Sequence, residues 1–102
     1  MSAGDARVVE IDAGLAALIP GYLERRRGDA AAILAAVDGG DFETARRLGH
    51  QLKGSGGGYG FAEITRLGAE IEEAAKGHEG ERLARLAAGL SEYLSSITIR
   101  FV

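Results

Sequence analysis

The sequence of 102 residues contains no cysteine, a single proline and no long run of apolar residues. The absence of cysteine excludes disulfides and thiolate metal sites, and it is typical of proteins in a reducing compartment. No stretch approaches the roughly 18 apolar residues of a membrane-spanning helix. The first residues also lack the apolar run that follows the basic cluster of a signal peptide. We therefore expect a cytoplasmic protein with no membrane partner.

The sequence also has no excess of basic residues. It contains 12 lysines and arginines and 15 acidic residues, which gives a net charge of −3. This balance leaves no broad basic surface, so we expect no nucleic-acid partner. The length suffices for one hydrophobic core but not for two. The sequence thus predicts a single domain over residues 1–102, in which residues 1–7 form a disordered lead.

Apolar residues recur three and four positions apart in four segments, which predicts four amphipathic helices. Pro20 suits the first turn of the first helix, where its missing N–H costs nothing, and that helix ends near Val37. Asp41 is placed to cap the second helix, in which a glycine run favours a break between Gly57 and Gly60. The four apolar stripes are Tyr22, Leu23, Ala30, Ile33, Leu34 and Val37; Phe42, Ala45, Leu48, Gly49, Leu52, Gly56 and Tyr59; Phe61, Ile64, Leu67, Gly68, Ile71, Ala74 and Ala75; and Leu83, Leu86, Ala87, Leu90, Tyr93, Leu94, Ile97 and Phe101.

Short turns join these helices, which predicts that consecutive helices lie antiparallel. The predicted fold is all-α: an up-down-up-down four-helix bundle, with a short extra N-terminal helix that Asp12 caps. No strand-like alternation exceeds a few residues. The one β-leaning segment, residues 97–99, continues the apolar stripe of the last helix.

His50 lies off the apolar stripe of the second helix, on a polar and cationic face that also carries Arg46, Arg47, Lys53 and Gly54. This face presents one imidazole to solvent, with a lysine one turn along and with bare backbone beside it. A neutral imidazole nitrogen is a suitable acceptor for a phosphoryl group near neutral pH. A lysine ammonium can offset the charge on the phosphoryl oxygens. The pattern is therefore suited to phosphoryl transfer.

The His-x-Leu-Lys-Gly-Ser motif that begins at His50, with Gly60 ten residues after the histidine, resembles the histidine-containing phosphotransfer (HPt) domains of bacterial two-component phosphorelays. The resemblance covers residues 12–98, and segments outside the motif also carry it: 19–27, 40–42, 59–61 and 67–75. It implies that His50 is phosphorylated on Nε2 by a receiver-domain aspartate or a kinase, and that another response-regulator receiver takes the group from it.

The same resemblance implies the partners, which are response-regulator receiver domains and a sensor or hybrid histidine kinase. The receivers would bring the magnesium and most of the catalytic groups, so that this chain binds no cofactor. We expect a monomeric phosphocarrier without autonomous kinase activity. The sequence has no candidate ATP domain, and its glycine run follows a helix rather than a strand, which does not fit a nucleotide-binding loop.

In several HPt domains a Gln or Glu on the next helix bonds Nδ1 of the phosphorylated histidine. Glu72, which lies twelve residues after Gly60, is the candidate for this role in the present chain. The alternative is that Glu72 is a surface charge, as Glu70 and Glu73 could be. Lys53 is expected to stabilise the charge of the phosphoryl group on His50.

Four further residues are candidates for contact with a partner. Gly54 and Gly57 have no side chain, so that a bulky partner can approach His50. Arg46 and Arg47 either steer an acidic receiver surface toward the site or are solvated side chains paired with neighbouring acidic residues.

Two other functions remain open at this point. One is a non-catalytic bundle that docks receiver domains or other helices, and the other is a fragment of an autophosphorylating kinase whose ATP domain lies on another polypeptide. No metal site is predicted, because the two histidines and the glutamates lack the spacing of metal ligands.

Overall fold

The computed structural model describes residues 7–102, and in this range the chain forms four helices and two short strands. The elements are β1 (Arg7–Ile11), α1 (Ile19–Asp38), α2 (Phe42–Gly56), α3 (Ala62–Lys76), α4 (Gly80–Ser96) and β2 (Ile97–Phe101). Helix α1 packs on α2 and α4, and α3 packs on the same two helices. The predicted four-helix bundle is therefore confirmed. None of the helices in the described range is long and apolar enough to cross a membrane.

The helix ends follow from local sequence. Pro20 stands in the first turn of α1, as predicted. The side chain of Asp41 caps α2, because its Oδ1 accepts a hydrogen bond from the backbone N–H of Thr44 at 3.1 Å. After α2 a short 3-10 turn leads to Gly60, whose φ of 91° is left-handed and favours glycine. The predicted break in the glycine run is confirmed.

The core lies between the four helices. Tyr22 of α1 is fully buried, and its ring stacks on those of Tyr59 and Phe61, with centroid distances of 4.1 Å and 5.6 Å. These rings join α1 to the loop between α2 and α3. Leu34, which was predicted on the stripe of α1, is instead 37% exposed. It lies about 100° around the helix from the buried Ile33, beyond the edge of the packed face.

Two predictions about the chain ends are wrong. Arg7 begins a strand rather than belonging to a disordered lead; the other residues of that predicted lead, 1–6, lie outside the described residues. Residues Ile97–Phe101 do not continue α4, because they pair in parallel with β1, with Arg7 opposite Ile97 and Ile11 opposite Phe101. The Ile-Thr-Ile run that opens β2 is β-branched and fits an extended backbone better than a helix.

The predicted short N-terminal helix is a single 3-10 turn, Ala13–Leu15. Asp12 caps it as predicted, since its Oδ1 accepts a hydrogen bond from the backbone N–H of Gly14 at 2.7 Å. The backbone N–H of Ala13 also donates to the carbonyl of Val102 at 2.9 Å. This turn therefore connects the small parallel sheet to the start of the bundle.

Candidate functional site

His50 lies in the second half of α2, outside the buried stripe of that helix, and its side chain is 68% exposed. The buried stripe fixes the rotation of the helix about its axis and so directs the imidazole away from the core. The residues of this stripe are Ala45, Leu48, Gly49, Leu52 and Gly56.

The carboxylate of Glu72, on α3, holds the ring of His50. Its Oε2 lies 3.1 Å from Nδ1 of the imidazole, and the residue is only 8% exposed, which makes it the one buried charged residue of the described range. Burial raises the pKa of Glu72. The hydrogen bond with His50, together with the charges of His50, Lys53 and Lys76, outweighs burial and holds this pKa below its usual range.

This geometry fixes the tautomer of the imidazole. A carboxylate that is ionised at neutral pH can only accept a hydrogen bond, so Nδ1 of His50 must be the donor to Glu72. In the neutral ring the other nitrogen, Nε2, then carries the lone pair. Because Glu72 occupies Nδ1 and the side chain is 68% exposed, Nε2 is available as a nucleophile.

Lys53 shares the same carboxylate. Its Nζ lies 3.7 Å from Oε1 of Glu72, and its side chain is 52% exposed. The structure thus brings together His50, Lys53 and Glu72, three of the predicted site residues. The ammonium stands on a flexible side chain, so it can turn from Glu72 toward an anion bound to Nε2.

Three exposed glycines follow His50 in the chain: Gly54 in α2, and Gly57 and Gly58 in the 3-10 turn after it. A Cβ added to Gly54 would have no contact within 4 Å, and one added to Gly57 would meet only Oγ1 of Thr65, at 3.6 Å. Sequence reasoning missed Gly58, which also borders open space. The signal in the sequence was its place in the glycine run that begins with Gly54. Gly54, Gly57 and Gly58 together form what we call the bare strip.

The two arginines differ in their surroundings. Nη2 of Arg46 lies 2.6 Å from Oε2 of Glu43, so its guanidinium has the geometry of a solvated ion pair. Arg47 is exposed and makes no salt bridge with the residues that the structure describes. A role for either in contact with a partner stays a prediction.

Sequence reasoning also missed Arg26 of α1. Its Nη1 donates to Oγ of Ser55 at 3.4 Å, and its guanidinium lies 4.7 Å above the ring of Tyr22. The Tyr22 hydroxyl lies 3.1 Å from the same Ser55 oxygen. These contacts fix α1 against the end of α2 that follows His50, and only the tertiary structure brings them together.

The second histidine is separate from these groups. His78 stands in the turn before α4 with a φ of 53°, and its ring stacks on that of Phe42 at a centroid distance of 4.5 Å. Within residues 7–102 no group of three or more His, Asp or Glu side chains could hold a metal ion.

We expect Glu72 to make the stability of the fold pH-dependent in the acid range. Because the folded state lowers its pKa, its stabilising effect is present above the ordinary pKa of a glutamate, roughly 4.3. The effect is lost as the pH falls through the lower value of the folded state. Urea unfolding of wild type and Glu72→Gln, measured from about pH 6 to about pH 3, should show a difference that shrinks toward acid. A difference that stays constant over this range would contradict the ionised, hydrogen-bonded carboxylate.

Comparison with known protein families gives one result. The family model described as Hpt domain matches residues 17–97, which span α1 to α4 and include His50, Lys53 and Glu72. Neither the curated proteins nor the solved structures contain a match to this chain.

Proposed function

Because the chain belongs to the Hpt domain family, whose members act in phosphotransfer within phosphorelays, we propose that His50 is its phosphorylated residue. In this proposal His50 accepts a phosphoryl group from a receiver-domain aspartate, or from a sensor or hybrid histidine kinase. It then passes the group to the aspartate of another response regulator. The observation that carries the proposal is the hydrogen bond between Nδ1 and Glu72, which leaves Nε2 as an exposed nucleophile.

The chemistry of acceptance follows from that hydrogen bond. The lone pair of Nε2 forms a bond to phosphorus while the P–O bond of the aspartyl phosphate breaks, and the electron pair of that bond returns to the aspartate carboxylate. The proton on Nδ1 stays in place, so the phosphorylated ring is positively charged. The carboxylate of Glu72, 3.1 Å from Nδ1, offsets this charge.

Donation to the next receiver is the reverse of these steps. The P–N bond breaks, its electron pair returns to Nε2, and a neutral imidazole leaves because Nδ1 has kept its proton. If Nδ1 had lost that proton, the leaving group would be an imidazolate anion, which is a far poorer one. Glu72 therefore serves both directions with one hydrogen bond. Magnesium is supplied by the receiver domain in this proposal.

Lys53→Ala should slow phosphoryl transfer by about ten-fold while changing the affinity for the receiver much less. The reason is that the Lys53 ammonium, one turn from His50, would act on the phosphoryl oxygens rather than on the docked surface. Transfer rates at saturating receiver, together with a binding titration, separate the two effects. Arg85→Ala is the matched control, since it removes an exposed cation of α4 and should leave the rate within about two-fold of wild type. Equal rates for Lys53→Ala and wild type would mean that Lys53 is an ordinary surface lysine with no role in transfer.

The proposed function is tested by mixing the protein with receiver domains of the same organism that carry labelled phosphate on their aspartates. We expect label to pass to this chain in a form that acid removes and alkali does not, which is the behaviour of a phosphohistidine. The protein with ATP and magnesium alone is the control and should stay unlabelled. Receivers that bind without transferring label would instead support a docking module, and acid-stable label would contradict phosphorylation of a histidine.

A further inference from the structure

Helices α2 and α3 meet backbone to backbone beside His50. A Cβ added to Gly49 would lie 2.6 Å from the backbone N of Glu72 and 3.0 Å from the carbonyl O of Gly68. A Cβ added to Gly68 would overlap the backbone N of Lys53 and lie 2.8 Å from the carbonyl O of Gly49. Real Cβ atoms essentially never come closer than 3.0 Å. Neither position can therefore hold even an alanine unless one helix moves.

The contact lies at the level of the His50–Glu72 hydrogen bond. Gly49 directly precedes His50, and Gly68 stands one helical turn before Glu72. Hydrogen bonds between nitrogen and oxygen measure about 2.7 to 3.2 Å, and the one here, at 3.1 Å, is already near the long end of that range. If α3 moved outward by about 1 Å, that bond would be lost. The position of Glu72 thus depends on the closest approach of the two helices.

Glycine is a poor residue for a helix interior, and α2 and α3 each place one at this contact. Local conflicts of this kind are expected at functional sites. We propose that Gly49 and Gly68 are positioning residues for phosphotransfer, because their contact sets the helix spacing at which Glu72 reaches Nδ1 of His50. This inference rests on the proposed function, and it extends the site to two residues that touch neither the phosphoryl group nor the partner.

The test uses Gly68→Ala and Gly49→Ala, with Gly89→Ala as the matched control. Gly89 lies inside α4, and a Cβ there would meet nothing within 4 Å. We expect each of the first two variants to transfer phosphoryl groups about ten-fold more slowly than wild type. Residues that orient a functional histidine typically contribute at least about that much. Gly89→Ala should transfer at the wild-type rate.

A double-mutant comparison distinguishes positioning from packing alone. If Gly68 acts through Glu72, Gly68→Ala should slow transfer in the wild-type background and have no further effect in a Glu72→Ala background. Nitrogen NMR of isotopically labelled histidine gives a second readout that involves no transfer. Wild type and Gly89→Ala should show His50 protonated on Nδ1, whereas Gly68→Ala and Gly49→Ala should show a mixture of the two tautomers.

Three results would overturn the inference. They are an unchanged His50 tautomer in folded Gly68→Ala and Gly49→Ala, an equal slowing by Gly68→Ala with and without Glu72, and loss of the helical circular dichroism of both variants in the cold. The last would mean that the contact serves the fold and not the hydrogen bond. A wild-type protein that takes up no label would contradict the proposed function alone, because the tautomer measurement would still decide the inference about the two glycines.

Discussion

His50→Gln should take up no phosphoryl group from any phosphorylated receiver domain, yet it should unfold with a free energy within about 1 kcal/mol of wild type. The substitution removes Nε2, which is the nucleophile of the proposed reaction. A glutamine amide can still donate a hydrogen bond to the buried carboxylate of Glu72. The imidazole is 68% exposed, so its loss leaves no cavity in the core. Label uptake and urea unfolding, measured side by side, check the two halves of this expectation.

His78→Gln is the matched control for this experiment. It changes the other histidine of the chain, which stacks on Phe42 in the turn before α4. This variant should take up label as fast as wild type. Uptake of label by His50→Gln, or loss of uptake in His78→Gln alone, would mean that His50 is not the phosphorylated residue.

Gly54→Gln should transfer phosphoryl groups about 100-fold more slowly than wild type, since a small displacement of the reacting groups is enough to cost that much. Gly54 lies one turn after His50 on the same exposed face, and no atom lies within 4 Å of the place where its Cβ would be. A glutamine there would project over the bare strip, into the space that we assign to the incoming receiver. The fold should be unharmed and even slightly stabilised, because glycine costs roughly 1 kcal/mol relative to alanine inside a helix.

Gly89→Gln separates steric exclusion from the change in helix propensity. It places the same side chain at an open position of α4, so it should raise stability similarly without slowing transfer. The measurements are thermal unfolding and the rate of label transfer from a phosphorylated receiver. Wild-type transfer by Gly54→Gln would refute the steric role of the bare strip. If Gly54→Gln unfolded, Gly54 would have to be a packing residue, which its open surroundings contradict.

Local rules were sufficient for most of the bundle. Pro20, the Asp41 cap and the break in the glycine run before Gly60 each depend on residues within about one turn of the chain, and the structure has them as predicted. The three- and four-residue spacing of apolar side chains also orients α2, and with it the exposed position of His50. Such features can be read from sequence because no distant residue decides them.

The small sheet could not be predicted in this way. Residues Arg7 and Ile97 are far apart in the chain, and the strand pairing that joins them is decided only in the folded protein. In the segment Ile97–Phe101 the β-branched residues favour a strand, but the apolar spacing matched the stripe of α4 equally well. The pairing with β1 decided between the two.

The role of Glu72 could be predicted only in part from the sequence. Its candidate role came from the family resemblance, because spacing alone could not distinguish it from Glu70 and Glu73. In the structure it is the buried member of the three, and it reaches His50 where Gly49 and Gly68 bring the two helices together. The distance between two helices depends on how they pack, so no pattern within α2 or α3 alone could have predicted it.

The most direct test of the central claim is to find the atom that carries the phosphoryl group. The protein would be prepared with isotopically labelled histidine, phosphorylated by a receiver domain, and examined by nitrogen and phosphorus NMR. We predict phosphorus bonded to Nε2 of His50, with Nδ1 still protonated and with the resonances of His78 unchanged. Phosphorus on Nδ1 of His50, on His78 or on neither histidine would contradict the account.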